Sequence, residues 1–101
     1  KEQALFFRGR EKLLFYAYNV SFRLVGPKGF VVETPVQRIP ALPPMKPVTL
    51  RFVIKVKEFV KSGWYTLHIK VSYDVIRDVD VSFGREVYGI PIVVNSSGNV
   101  S

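Results

Sequence analysis

An all-β fold, with two antiparallel sheets packed face to face, follows from three observations on this 101-residue sequence. The first is strict alternation between Val48 and Tyr73. Leu50, Phe52, Ile54 and Val56 share one parity, with Thr49, Arg51, Lys55 and Lys57 on the other. After Ser62-Gly63 the pattern restarts: Tyr65, Leu67, Ile69, Val71 and Tyr73 alternate with Thr66, His68, Lys70 and Ser72. Successive strand side chains point to opposite faces, so each such strand has one apolar and one polar side. The second observation is the enrichment in β-branched and aromatic residues, which fits a pleated, half-buried surface. The third is the spacing of turn residues, at the roughly 8–12-residue intervals of a sandwich of about seven or eight strands.

Ala4 to Arg8 reads as a short strand closed by Gly9. Glu11 to Val25 reads as a long strand, with Leu14, Tyr16, Tyr18, Val20, Phe22 and Leu24 on one parity. Ala17, Asn19, Ser21 and Arg23 take the other, and the length calls for a bend or bulge near Tyr18-Asn19. Gly26-Pro27-Lys28-Gly29 is a turn: proline presets φ and glycine supplies φ > 0. Phe30 to Glu33 is a short strand. Five of the seven prolines fall between Pro35 and Pro47. Proline cannot donate to a ladder, so this stretch is an edge strand and then an extended connector, pinned by Val36, Ile39 and Leu42. Val48 to Lys57 and Trp64 to Asp74 are the clearest strands, and Phe59 and Val60 plug the end between them. Val75 to Phe83 is a further strand, with Val79, Val81 and Phe83 opposed to Asp78, Asp80 and Ser82. Gly84 turns the chain, and Glu86 to Val94 closes the fold, with Pro91 at an edge. Residues 1–94 form one domain and 95–101 a flexible polar tail or linker.

Composition bounds the function classes. Hydrophobic residues make up 48% and aromatics 14%, enough for a single packed core. Cysteine is absent, which removes disulfides and thiolate metal sites. No apolar run reaches the ~18 residues of a spanning helix, so no membrane insertion is expected from this segment. Net charge is +7, which permits attraction to nucleic acid, acidic glycan or anionic lipid. The plainer account places these charges on the outward parity of strands, where lysine also blunts sheet edges. Abundant charge with scarce Asn, Gln, Met and Cys leans towards a thermophilic source. The abrupt beginning and the polar ending suggest a piece of a longer chain.

The stretch from Asn19 to Val94 resembles immunoglobulin-like modules of archaeal and bacterial cell surfaces. The residues that carry this are Asn19-Val20-Ser21-Phe22-Arg23-Leu24 leading into Gly26-Pro27-Lys28-Gly29-Phe30. Ile39-Pro40-Ala41-Leu42-Pro43-Pro44, the corner Ser62-Gly63-Trp64-Tyr65-Thr66-Leu67 and the closing Gly89-Ile90-Pro91-Ile92-Val93-Val94 complete it. The families in question are S-layer-associated, CARDB and α-galactosidase-associated domains. The resemblance implies an immunoglobulin-like β-sandwich acting as an extracellular spacer or adhesion module, with the signal or anchor outside this segment. It carries over no catalytic residue, and Trp64 directly after Gly63 departs from its pattern.

Candidate sites are few. All three asparagines have glycosylation spacing: Asn19-Val20-Ser21, Asn95-Ser96-Ser97 and Asn99-Val100-Ser101. Asp74, Asp78 and Asp80 are the densest carboxylates and the candidate metal ligands, although their spacing matches no calcium loop and Arg77 sits among them. His68 is the only histidine and has no cysteine or second histidine as a co-ligand. Ser62, Ser72 and Ser82 lack a nucleophile-elbow context. A catalytic role and a cofactor are therefore not expected. Arg51, Lys55, Lys57, Lys61 and Lys70 are expected to form a basic stripe on adjacent strands beside Trp64 and Tyr65, which makes Trp64, Tyr65, Lys55, Lys57 and Lys61 the candidate contact residues. The opposing account is a solvated charged face with Trp64 packed at its end.

The function expected is a non-catalytic structural or binding module of a cell-surface or secreted protein. Its partners are neighbouring domains of a longer chain, and a glycan or protein at the cell surface. Two alternatives remain. A carbohydrate-binding accessory domain of a secreted hydrolase predicts exposed coplanar aromatics. A basic nucleic-acid-binding domain predicts strong salt dependence, but no nucleic-acid fold signature occurs.

Overall fold

The computed structural model describes residues 2–9, 16–77, 79–96 and 100. The chain is all-β, with no helix among these residues. Its strands are β1 (Glu2–Gly9), β2 (Ala17–Val25), β3 (Phe30–Val32), β4 (Val36–Leu42), β5 (Val48–Val56), β6 (Gly63–Arg77) and β7 (Asp80–Val94). They form an antiparallel four-stranded sheet, ordered β4-β2-β6-β7, and a smaller sheet built on β5, ordered β1-β5-β3.

One apolar core joins the two sheets. Val20, Phe22 and Leu24 of β2 and Leu67, Ile69 and Val71 of β6 meet Leu50, Phe52, Ile54 and Val56 of β5 in a single cluster. The alternation read from β5 and β6 is thus the burial pattern, and every buried side chain among the described residues is hydrophobic. Phe30 and Tyr65 touch across the sheets, with ring centroids 5.1 Å apart. Gln37 Nε2 donates to the Arg51 carbonyl at 2.7 Å and ties edge strand β4 to β5. Gly29 turns the chain before β3 at φ 98°, with Phe59 and Val60 folded over it. Val60 packs against the core, whereas Phe59 stays 63% exposed.

β4 and β7 are the edges of the larger sheet, which explains why it tolerates Pro40 and Pro91. Ile39 and Leu42 pack on the core, while Val36 faces outward.

Three further expectations fail, each for a physical reason. Gly84 does not turn the chain; β6 and β7 pair from Gly63↔Val94 to Arg77↔Asp80, and Gly84 lies mid-strand opposite Tyr73. The buried Tyr73 ring lies over it, where a side chain would collide. Second, Tyr18 does not share the buried parity of Val20. β2 spends one extra residue between the pairs Tyr18↔Asp74 and Ser21↔Ser72. This is the expected bulge, with Asn19 at φ 50°, and a one-residue slip reverses every side chain before it. Ala17 is therefore buried, while Tyr16 and Tyr18 stack at 5.0 Å away from the core. Third, Val79, Val81 and Phe83 face solvent, at 93%, 54% and 79% exposure. Val81 and Phe83 lie opposite Ile76 and Asp74, on the outer parity they share with Arg85 and Val87, so their side chains point away from the core, and Val79 stands at the hairpin tip. Fifteen residues at ~3.3 Å span about 50 Å, close to the 53 Å long axis of the molecule.

β7, the last strand, ends at Val94. Val100 bridges back to Val94 and is partly buried against the core. The expected strand residues before Tyr16, from Glu11 to Phe15, lie outside the described residues.

Candidate functional site

The site is built from strand order. β2 and β6 pair in the register Arg23↔Lys70 and Ser21↔Ser72. β4 adds Val36 opposite Arg23 and Arg38 opposite Ser21. β7 adds Val87 opposite Lys70 and Arg85 opposite Ser72. Two transverse rows result on the outer face: Val36-Arg23-Lys70-Val87 and Arg38-Ser21-Ser72-Arg85. Together these side chains line a shallow groove of about 450 Å³. Four cations thus come from four different strands, and all are exposed. Neighbouring strands lie ~4.8 Å apart, so Arg38 and Arg85 frame a floor about 14 Å wide, with Arg23 and Lys70 side by side at its middle.

No carboxylate among the described residues forms an ion pair with Arg23, Arg38, Lys70 or Arg85. The one carboxylate bordering the groove is Glu86. It accepts a hydrogen bond from the Tyr88 hydroxyl and a longer one, at 3.4 Å, from the Tyr73 hydroxyl. A cation held near a carboxylate is largely answered already. These four are exposed, and an incoming anion would gain their field without breaking an ion pair to any described carboxylate.

The residues expected to make contact are dispersed. Lys55 lies on β5 in the smaller sheet and Lys57 just beyond its end, Lys61 lies in the loop to β6, and Lys70 lies on β6 in the larger sheet. The basic stripe on adjacent strands is therefore not formed, because β5 and β6 do not pair. Trp64 and Tyr65 separate by parity. Trp64 stands 76% exposed on the outer face, not packed at its end. Tyr65 turns inward onto Phe30 and donates its hydroxyl to the Lys61 carbonyl at 2.6 Å. Phe83, another large exposed ring on that face, is ten register positions from Trp64, on the order of 33 Å. These two rings do not make one stacking platform.

The acidic candidates are dispersed as well. Asp74 accepts from Asn19 Nδ2 at 3.0 Å. Asp80 stands opposite Arg77 in the backbone register at the hairpin tip, three positions further along. Asp78 lies outside the described residues. Among the described residues, no group of three or more His, Cys, Asp or Glu is arranged to hold a metal. His68 is exposed at mid-β6 on the outer face, opposite Val25 and Gly89. Of the glycosylation candidates, Asn19 is held by Asp74 at the bulge, Asn95 is exposed just after β7, and Asn99 lies outside the described residues.

Sequence reasoning missed Arg23, Arg38 and Arg85. A signal was present for Arg23 and Lys70: each is a cation between two buried residues of its strand, which fixes it outward. Nothing local said that four such cations share one face. No protein-family model, curated protein or solved structure matches the chain.

Proposed function

We propose that this chain is an immunoglobulin-like β-sandwich that serves as a non-catalytic presentation and binding module of a cell-surface or secreted protein. The observation that carries this reading is the separation of roles within the chain. Every buried side chain among the described residues is hydrophobic, while four exposed cations without an ion pair among those residues are gathered on one outer face. A dry apolar core gives a stiff scaffold, and a charged face gives it something to offer.

The strand directions favour presentation over in-line spacing. β1 begins opposite Lys55 and β7 ends opposite Gly63, at the end where β5 leads into β6. The hairpin tip lies at the other end, so a host attached through both ends would hold the tip and the basic face away from itself. Asn95, beside that attachment, is the exposed sequon best placed for a glycan in this setting.

Fractionation of the native cells, followed with an antibody to the folded domain, tests the location. Recovery in the envelope or the medium is expected. Recovery confined to the cytosol would overturn the reading.

A further inference from the structure

We infer that the groove between Arg38 and Arg85 binds an anionic polysaccharide, one bearing carboxylate or sulfate groups. This deepens the presentation reading by naming the partner class, and rests on that reading only for the compartment.

The charge pattern comes first. Arg23 and Lys70 stand side by side, and Arg38 and Arg85 flank them on the next row. An extended chain laid across the strands would meet cations over the whole ~14 Å width of the floor. Arginine offers a planar fork of donors that matches a carboxylate or sulfate two oxygens at a time. The hydroxyls of Ser21 and Ser72 lie between the outer arginines and both donate and accept. A sugar chain brings acid groups for the cations and hydroxyls for the serines. Val36 and Val87 close the ends of the other row and give the pyranose faces an apolar edge.

Nucleic acid and lipid fit less well. Single strands are held by stacking bases on aromatic rings, and no ring lines this groove. A duplex is read by an element that enters its major groove, whereas this surface is the flat face of a sheet. The apolar hairpin tip could meet a bilayer, but Asp74 and Asp80 sit on the same hairpin and would repel anionic headgroups.

The test compares the intact chain with two variants that each lose four positive charges. The groove variant carries Arg23→Gln, Arg38→Gln, Lys70→Gln and Arg85→Gln. The control carries Arg51→Gln, Lys55→Gln, Lys57→Gln and Lys61→Gln, away from the groove. The probes are a sulfated heparin octasaccharide, a galacturonate octasaccharide, a thymidine 20-mer and vesicles with one-third phosphatidylglycerol, all titrated at low salt. Thermal unfolding of both variants confirms that the fold survives. The intact chain is expected to bind at least one of the two octasaccharides more tightly than the 20-mer or the vesicles. Groove substitution should cost at least tenfold in that affinity, and the control less than threefold. The log–log salt slope should fall from roughly −3, for four contacts, towards zero in the groove variant. Equal losses in both variants would reduce the effect to net charge and overturn the site. Tighter binding of the 20-mer or of the vesicles would overturn the ligand class. No binding to either octasaccharide would overturn the inference, while the fractionation result would stand by itself.

Discussion

Replacing Gly84 with alanine tests the register of the long hairpin. An ideal Cβ at Gly84 would lie 2.2 Å from Cε2 and Cζ of Tyr73 and 2.6 Å from its hydroxyl oxygen. Carbon contacts are comfortable at about 3.5–4.0 Å, so the ring must move by more than 1 Å. It is poorly placed to do so, being buried at 8% exposure, with its hydroxyl directed at Glu86. Forcing an extra methyl into a packed site costs about 1–3 kcal/mol. Removing glycine from a strand returns roughly 0.5–1 kcal/mol by restricting the unfolded chain. The net expectation for Gly84→Ala is a loss of about 1–2 kcal/mol, read as a lower urea midpoint at constant slope. The sign should reverse once the ring is gone: in a Tyr73→Ala background, Gly84→Ala becomes neutral or stabilising by up to about 1 kcal/mol. The double-mutant cycle therefore yields a coupling of roughly 2 kcal/mol. Additive effects within about 0.5 kcal/mol would show that the ring does not cover Gly84, and would refute the register around it.

The remaining predictions use the same denaturation assay. Leu67 has no exposed surface, so Leu67→Ala should cost about 2–5 kcal/mol, and a loss below 1 kcal/mol would deny it the centre of the core. Asn19→Ala should cost about 1–2 kcal/mol from the left-handed backbone and the lost bond to Asp74, while Asn19→Gly should cost clearly less; equal losses would remove the backbone as the cause. Trp64→Ala and Phe83→Ser should each change stability by no more than about 0.5 kcal/mol, because both rings stand in solvent. A loss of 2 kcal/mol at either would mean that the ring is packed.

Fold class was legible because period-two alternation is a local signal. In β5 and β6 it identified the buried side at every position from Leu50 to Val56 and from Leu67 to Tyr73. The same signal failed wherever its reference changed. At Asn19 the bulge reset the phase, and Tyr18 moved to the other face. At Val79 to Phe83 the alternation was real, but pairing with β6 sets Val81 and Phe83 on the outer face with Arg85 and Val87, so the apolar side met water. Gly84 illustrates a further ambiguity. A glycine between two apolar runs reads as a turn from sequence alone, although a close aromatic neighbour across the strand demands it equally. The groove was illegible for a different reason. Arg23, Arg38, Lys70 and Arg85 are far apart in sequence and meet only through the order β4-β2-β6-β7. Pairing partners are a property of the whole topology, and no window of residues contains them.

Glu2 and Val94 lie at the same end of the molecule, opposite Lys55 and Gly63, and this has an architectural consequence. A fold whose path returns to its point of departure can be rejoined there and opened elsewhere. A circular permutant cut in the turn at Pro44-Met45, with a linker across that end, should keep the same core. Consecutive copies in tandem would stand abreast, like the teeth of a comb, each meeting its surroundings with the same flank.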